Sequence, residues 1–171
     1  MQGRLPTVDL PTGGGAWKQA ETMAEYTYKY PRPAVATDCV VFGFDGRSLK
    51  VLLIERGLEP YKGMWAFPGG FMTMDETAEQ CARRELREET GIIADQLTPL
   101  FVLARADNHC IYYSYLCRYS GPKYAIALQP GETAGYRWLT PDGLREMADD
   151  PQFVGSHRQR WQAFIQHAEE Y

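Results

Sequence analysis

Residues 70–92, GFMTMDETAEQCARRELREETGI, place three glutamates, Glu85, Glu88 and Glu89, on one short segment with Arg84 beside them. Gly69-Gly70 opens the stretch and Gly91 closes it. Residues 77–90 contain good helix formers and no proline, so they predict a helix, with Asp75 or Thr73 to cap its start and Gly91 to stop its end. At about 100° per residue, Glu85, Glu88 and Glu89 fall within an arc of about 100°. Glu85 lies almost in line with Ala78, and Glu89 between Ala78 and Ala82. The apolar positions are Ala78, Cys81, Ala82 and Leu86, so the carboxylates run along or beside the face that turns inward. Glu79, Gln80, Arg83, Arg87 and Thr90 are left to make the solvent face.

Like charges at helical spacing repel by a few tenths of a kcal/mol when exposed, and by more when partly buried. Arg84, one turn before Glu88, offsets part of that. A hard divalent cation would offset the rest, because oxygen-only ligands suit magnesium or manganese. An ordinary charged surface helix is the competing reading. It fits poorly, since other residues already occupy the solvent face.

The segment resembles the Nudix box, the signature of hydrolases that act on nucleoside diphosphates linked to another group. Gly70, Glu76, Arg84-Glu85, Leu86, Glu88-Glu89, Gly91 and Ile92 stand at the defining positions, and none departs from the pattern. Trp65-Ala66-Phe67-Pro68-Gly69-Gly70 matches the usual lead-in. The resemblance implies an α/β/α sandwich with a mixed β-sheet between helices. It implies Mg2+ or Mn2+ held by Glu85 and Glu89, with Glu88 close behind and the Gly69 carbonyl contributing. Arg84 then orients a box glutamate, and Glu76 ties the loop to the helix. Glu132, in Pro130-Gly131-Glu132-Thr133-Ala134-Gly135-Tyr136-Arg137-Trp138-Leu139, resembles the late glutamate that faces the metals in dinucleoside-tetraphosphate hydrolases; a solvated loop carboxylate is the alternative. The box leaves the general base open among these glutamates.

The 171 residues suit one domain with a sizeable core. Hydrophobic residues make up 44% and charged residues 23%, ordinary for a globular chain. A net charge of -4 argues against binding duplex nucleic acid through its phosphates. No apolar run approaches the roughly 18 residues of a membrane span. Cys39, Cys81, Cys110 and Cys117 form no CxxC pair and share no metal-ligand spacing with His109, His157 or His167, so they read as free buried thiols in a reducing cytosol.

Residues 1–30, with Pro6, Pro11 and Gly13-Gly14-Gly15, read as a mobile extension with a short helix over Ala16–Ala24, and Pro31-Arg32-Pro33 marks entry to a domain over residues 31–171. Val35–Phe44 and Leu49–Glu55 predict a hairpin about Asp45-Gly46. Ala66–Thr73 predicts a strand feeding the box helix. Leu97–Arg105 and Cys110–Arg118 predict a second strand pair, and Gly135–Leu139 a last strand. Thr140-Pro141 starts a helix running to about Ala148, and another begins near Ser156 with Trp161, Phe164, Ile165 and Ala168 on one face.

Tyr113, Tyr115, Cys117 and Tyr119 share one strand face, where core packing is favoured over stacking on a nucleobase; Trp65 and Phe67 carry the same two readings. Arg56, Tyr61, Lys62 and residues 105–109 are candidate rims at which a cation could meet a phosphate. A lone histidine such as His109 is read as structural. The function expected is metal-dependent hydrolysis of a phosphoanhydride in a nucleotide-type small molecule: a nucleoside triphosphate, ADP-ribose or a sugar nucleotide, or a dinucleoside polyphosphate. The alternative is a non-catalytic nucleotide-sensing module. Sensors of this family carry a winged helix after the domain, and the residues beyond Ala148 suffice for a single helix. Many relatives dimerise, so a homodimer is open to the chain.

Overall fold

The computed structural model describes residues 32–169. The N-terminal extension and the helix expected over Ala16–Ala24 lie outside the described residues. Seven strands and three helices follow in the order β1 (Ala34–Phe44), β2 (Leu49–Arg56), β3 (Trp65–Ala66), β4 (Gly69–Phe71), α1 (Ala78–Thr90), β5 (Leu97–Arg105), β6 (Cys110–Tyr119), β7 (Thr133–Leu139), α2 (Pro141–Ala148) and α3 (Gly155–Glu169).

The β1–β2 hairpin closes as its turn residues dictate. Asp45 accepts hydrogen bonds from the Arg47 and Ser48 amides, and Gly46 takes φ 87°. Beyond the turn the two strands soon part. β1 pairs with β2 only over Phe42–Phe44, yet it runs parallel to β6 from Ala34 to Gly43. β2 goes on to pair with β7 along its far edge. The gap between β1 and β2 is filled by β3, which pairs with the end of β2, and β4, which pairs with the start of β1. The single strand expected over Ala66–Thr73 is therefore two short strands, interrupted at Phe67-Pro68 where the chain passes from one partner to the other. Pro68 has no N–H for a ladder, but its carbonyl accepts the Cys39 amide at 2.8 Å.

Alternation along β1 divides the core. Cys39 and Val41 pack with Leu52, Tyr115 and Cys117 against Ala82 and Leu86 of α1. Val40 packs with Val51, Leu53, Trp65 and Phe67 against Leu144 and Met147 of α2 and Trp161 of α3. Helices thus cover both faces of a mixed sheet, as expected. Tyr113 and Tyr119 lie against the first cluster and Trp65 and Phe67 within the second, so all four serve as core. All four cysteines are buried and free. Phe164 and Ile165 pack on the second cluster; the side chain of Ala168 lies outside the described ones. Among the described residues no helix is long and apolar enough to cross a membrane.

Leu86 is fully buried between α1 and the sheet. Leu86→Ala is expected to lower the unfolding free energy by about 2–5 kcal/mol, read as a lower urea midpoint with an unchanged slope.

Candidate active site

The box helix begins one residue later than its pattern suggested, and with a different cap. Thr77 is the N-cap: its hydroxyl accepts the Gln80 amide, and the Gln80 side chain accepts the Thr77 amide. This Thr-x-x-Gln capping box was present in the sequence and is the signal that Asp75 and Thr73 obscured. Glu76 instead accepts the Thr73 amide at 2.8 Å. Gly91 ends the helix in the left-handed conformation, φ 72°. Thr90, assigned above to solvent, is fully buried. Its hydroxyl caps the Leu86 carbonyl and receives the Ile92 amide, which turns its face inward.

The three box glutamates meet three different environments. Glu89 is only 8% exposed, and its Oε2 accepts the Gly69 amide at 2.7 Å. Burial, partly offset by that hydrogen bond, pushes its carboxyl up to about 8, with Glu85 and Glu132 adding to the rise and Arg56 opposing it. Glu85 is half-buried. Burial raises its carboxyl too, against the pull of Arg84, and Glu88 and Glu132 push the same way. Glu88 is exposed and meets Arg84 at 3.3 Å.

Arg84 gathers this loop and helix together. It reaches Glu76 at 2.7 Å, Glu85 at 2.7 Å and the Phe71 carbonyl at 3.2 Å. The guanidinium hydrogen bonds hold the Glu76 carboxyl down to about 2. Arg84 thus bonds Glu85 on its own helix and Glu76 on the preceding loop, joining loop to helix.

Glu132 lies on a turn over residues 129–133 in which the Gln129 carbonyl accepts the Glu132 and Thr133 amides. The Glu132 carbonyl accepts the Gly57 amide at 2.7 Å, which fastens this turn to the end of β2. Glu132 thereby comes within electrostatic reach of Glu85 and Glu89, although far from them in sequence. Arg56 anchors the neighbouring loop. Its Nε donates to the Pro60 carbonyl, its own carbonyl accepts the Gly63 amide, and its charge acts on Glu89. Glu85, Glu89, Glu132 and Arg56 thus form one neighbourhood, and Glu88 stands at its solvent edge with Arg84. Tyr61 is 52% exposed on the same loop. His109 lies at the β5–β6 turn with φ 49°, and its carbonyl accepts the Ala34 amide at the start of β1.

A cavity of about 670 Å3 lined by Phe42, Phe44, Leu49, Leu116, Tyr119 and Phe164 lies elsewhere. It sits at the end of β1 opposite to the Gly69 pairing, and its lining residues include no acidic side chain.

Sequence reasoning missed a buried group behind the site. Asp38, on β1, is 1% exposed and lies 2.8 Å from Arg160 Nε on α3. The Ser114 hydroxyl donates to it at 3.2 Å. A charged residue inside an otherwise apolar strand run was the available signal.

A family model described as NUDIX domain matches residues 32–159. The chain is 41% identical over 79 residues to the ADP-ribose pyrophosphatase of Methanocaldococcus jannaschii, covering 46% of this chain and 44% of that protein. It is 38% identical over 79 residues to the ADPR responsive transcriptional repressor NtrR of Acinetobacter baylyi, covering 45% of this chain and 32% of that protein. The matched stretch spans less than half the length of either curated relative. Among solved structures, the NUDIX domain of Shewanella oneidensis NrtR complexed with ADP ribose is similar with a TM-score of 0.67 and 26% identity, over 90% of this chain and 98% of that one. An unbroken box, an α/β/α sandwich that presents it and a family match over most of the chain agree: this protein belongs to the Nudix family.

Proposed function

We propose that residues 31–171 form a divalent-metal-dependent pyrophosphohydrolase that cleaves a nucleoside diphosphate linked to a second group, with ADP-ribose the first substrate to test. The observation that carries this is Glu89, a carboxylate buried beside two others and held against the Gly69 amide. The donor set is oxygen only, which suits Mg2+ or Mn2+. Gly70 makes room for it: a Cβ there would lie 2.3 Å from Glu85 Oε1. Among the described residues no three acidic, histidine or cysteine side chains stand already closed on one point, so binding a cation requires side-chain rotation. Glu85 and Glu89 with the Gly69 carbonyl would hold it, and Glu88 and Glu132 would complete the set.

When bound, the cation neutralises phosphate oxygens and lowers the pKa of water. The chain's own residues do the rest. Arg84 keeps Glu85 in orientation, and Arg56 offers a cation toward the phosphates. A glutamate at the rim, Glu132 or Glu88, takes the proton as the water oxygen bonds to phosphorus. The bridging phosphorus–oxygen bond breaks, and two phosphorylated products leave; for ADP-ribose these are AMP and ribose 5-phosphate. The names of the relatives that resemble this chain, a pyrophosphatase and an ADP-ribose complex, support that substrate class. The repressor among them supports a sensor as the second reading.

A hydrolysis screen with Mg2+ and Mn2+ over ADP-ribose, sugar nucleotides, nucleoside triphosphates and dinucleoside polyphosphates tests the proposal. Turnover of one class is expected; tight ADP-ribose binding without turnover would establish the sensor instead. Glu89→Gln is expected to cut kcat by roughly 100-fold or more, and Glu132→Gln by about 10-fold. Gly70→Ala should fold, because Glu85 can swing away, yet require more metal for half-maximal rate. Metal affinity should rise with pH up to about 8, since below that value binding displaces the Glu89 proton. Without metal, folding stability should fall as pH rises from the ordinary 4.5 to about 8, because the folded chain keeps a proton that the unfolded chain releases. Proton release on Mn2+ titration and urea midpoints across that range check both.

A further inference from the structure

The box carboxylates stand on α1, on one face of the sheet, but the backbone that holds Glu89 is gripped from the opposite face. His157 and Arg160 lie one turn apart on α3, and both are buried. His157 Nδ1 accepts the Phe67 amide at 3.3 Å, which places the ring proton on Nε2. Its ring packs beside Phe67 and Phe153, with centroids 5.8 and 6.3 Å away. Phe67 is where the chain crosses from β3 to β4, two residues before Gly69. Arg160 holds the other side of that junction. Its guanidinium lies over the Tyr112 ring at 4.4 Å, and its Nε is 2.8 Å from Asp38. Asp38 is the cross-strand partner of Gly69. A side chain at Gly69 would press on this contact, with its Cβ 2.1 Å from the Thr37 carbonyl oxygen.

Resting on the proposed metal-dependent reading, we infer that His157 and Arg160 are positioning residues. Through the Phe67 amide and through Asp38, they fix Gly69, and with it the carboxylate of Glu89 on the far side of the sheet. Neither touches the substrate site. The ordering they provide is directional, since an amide aimed at Glu89 through the sheet needs both strands of the junction held. Nonspecific packing by α3 would stabilise the whole domain equally and would not single out this amide.

Amide exchange by NMR in the metal-free protein and Mn2+ affinity by electron paramagnetic resonance test the inference. His157→Leu is expected to speed exchange at Gly69 as well as Phe67 by about 10-fold, and to weaken Mn2+ binding and kcat by a similar factor, with KM within about twofold. His157→Asn, whose side-chain oxygen can stand where Nδ1 does, should recover most of each loss. Faster exchange confined to Phe67, with Gly69 exchange and Mn2+ affinity as in the parent, overturns the inference. Should His157→Leu fail to fold, Arg160→Lys decides in the same way: altered exchange at Gly69 upholds the role, and parental exchange removes it. A parent protein that binds no Mn2+ and hydrolyses nothing defeats the proposed reaction, while exchange at Gly69 still decides the positioning role on its own.

Discussion

The close approach of Gly69 to β1 is the constraint on which the site depends. A β-carbon at this position would sit 2.7 Å from the Asp38 Cα, closer than backbone atoms tolerate. Only a bare Cα lets β4 enter the gap where β1 and β2 part. Once seated, Gly69 has one edge against β1 and its amide directed at α1, where Glu89 receives it. The strand pairing and the first contact of the site are therefore a single arrangement. The diverging hairpin creates the gap, Phe67-Pro68 carries the chain across it, and glycine lets the chain fit.

The charges at the site are unevenly neutralised. Arg84 satisfies the outer group, Glu76, Glu85 and Glu88. Pairs at a partly exposed surface contribute only about 0–1 kcal/mol each, so the value of this cluster lies in geometry. One planar guanidinium fixes the loop after β4, the start of the box and the Glu85 carboxylate together. Among the described residues no such cation lies against Glu89. Arg56 acts on it only at a distance, and Glu85 and Glu132 act against it.

Local chemistry made much of this legible. The Asp45-Gly46 turn, Gly91 and the Thr140-Pro141 helix start act through neighbouring residues, and each appears where its sequence signal stands. The inward lean of Glu89 followed from helical period and the positions of Ala78 and Ala82. Competing local options were harder to separate, as at Thr77, where three candidate caps lie within five residues. Thr90 was misplaced because periodicity does not show a hydroxyl bonding back to its own helix. The break between β3 and β4 depends on how far β1 and β2 diverge, which their own residues do not show. The contacts of His157 with Phe67 and of Arg160 with Asp38 join residues 90 and 122 positions apart. Such pairings become visible only when the sheet has been assembled.

Burying Glu89 is unfavourable for folding taken alone. A glutamine would keep the shape and could be hydrogen-bonded without charge, whereas the carboxylate is pushed toward its protonated form. Nearby Glu85 and Glu132 worsen the cost whenever they are ionised. A side chain that destabilises the empty protein makes physical sense where positive charge arrives from outside, since the same burial that penalises the lone carboxylate strengthens its attraction to a cation. The arrangement around Gly69 holds that unfavourable charge in place, with strands on one side and α1 on the other. It keeps the Glu89 carboxylate oriented before any ligand is present, so that the rotation needed for binding falls to the other carboxylates.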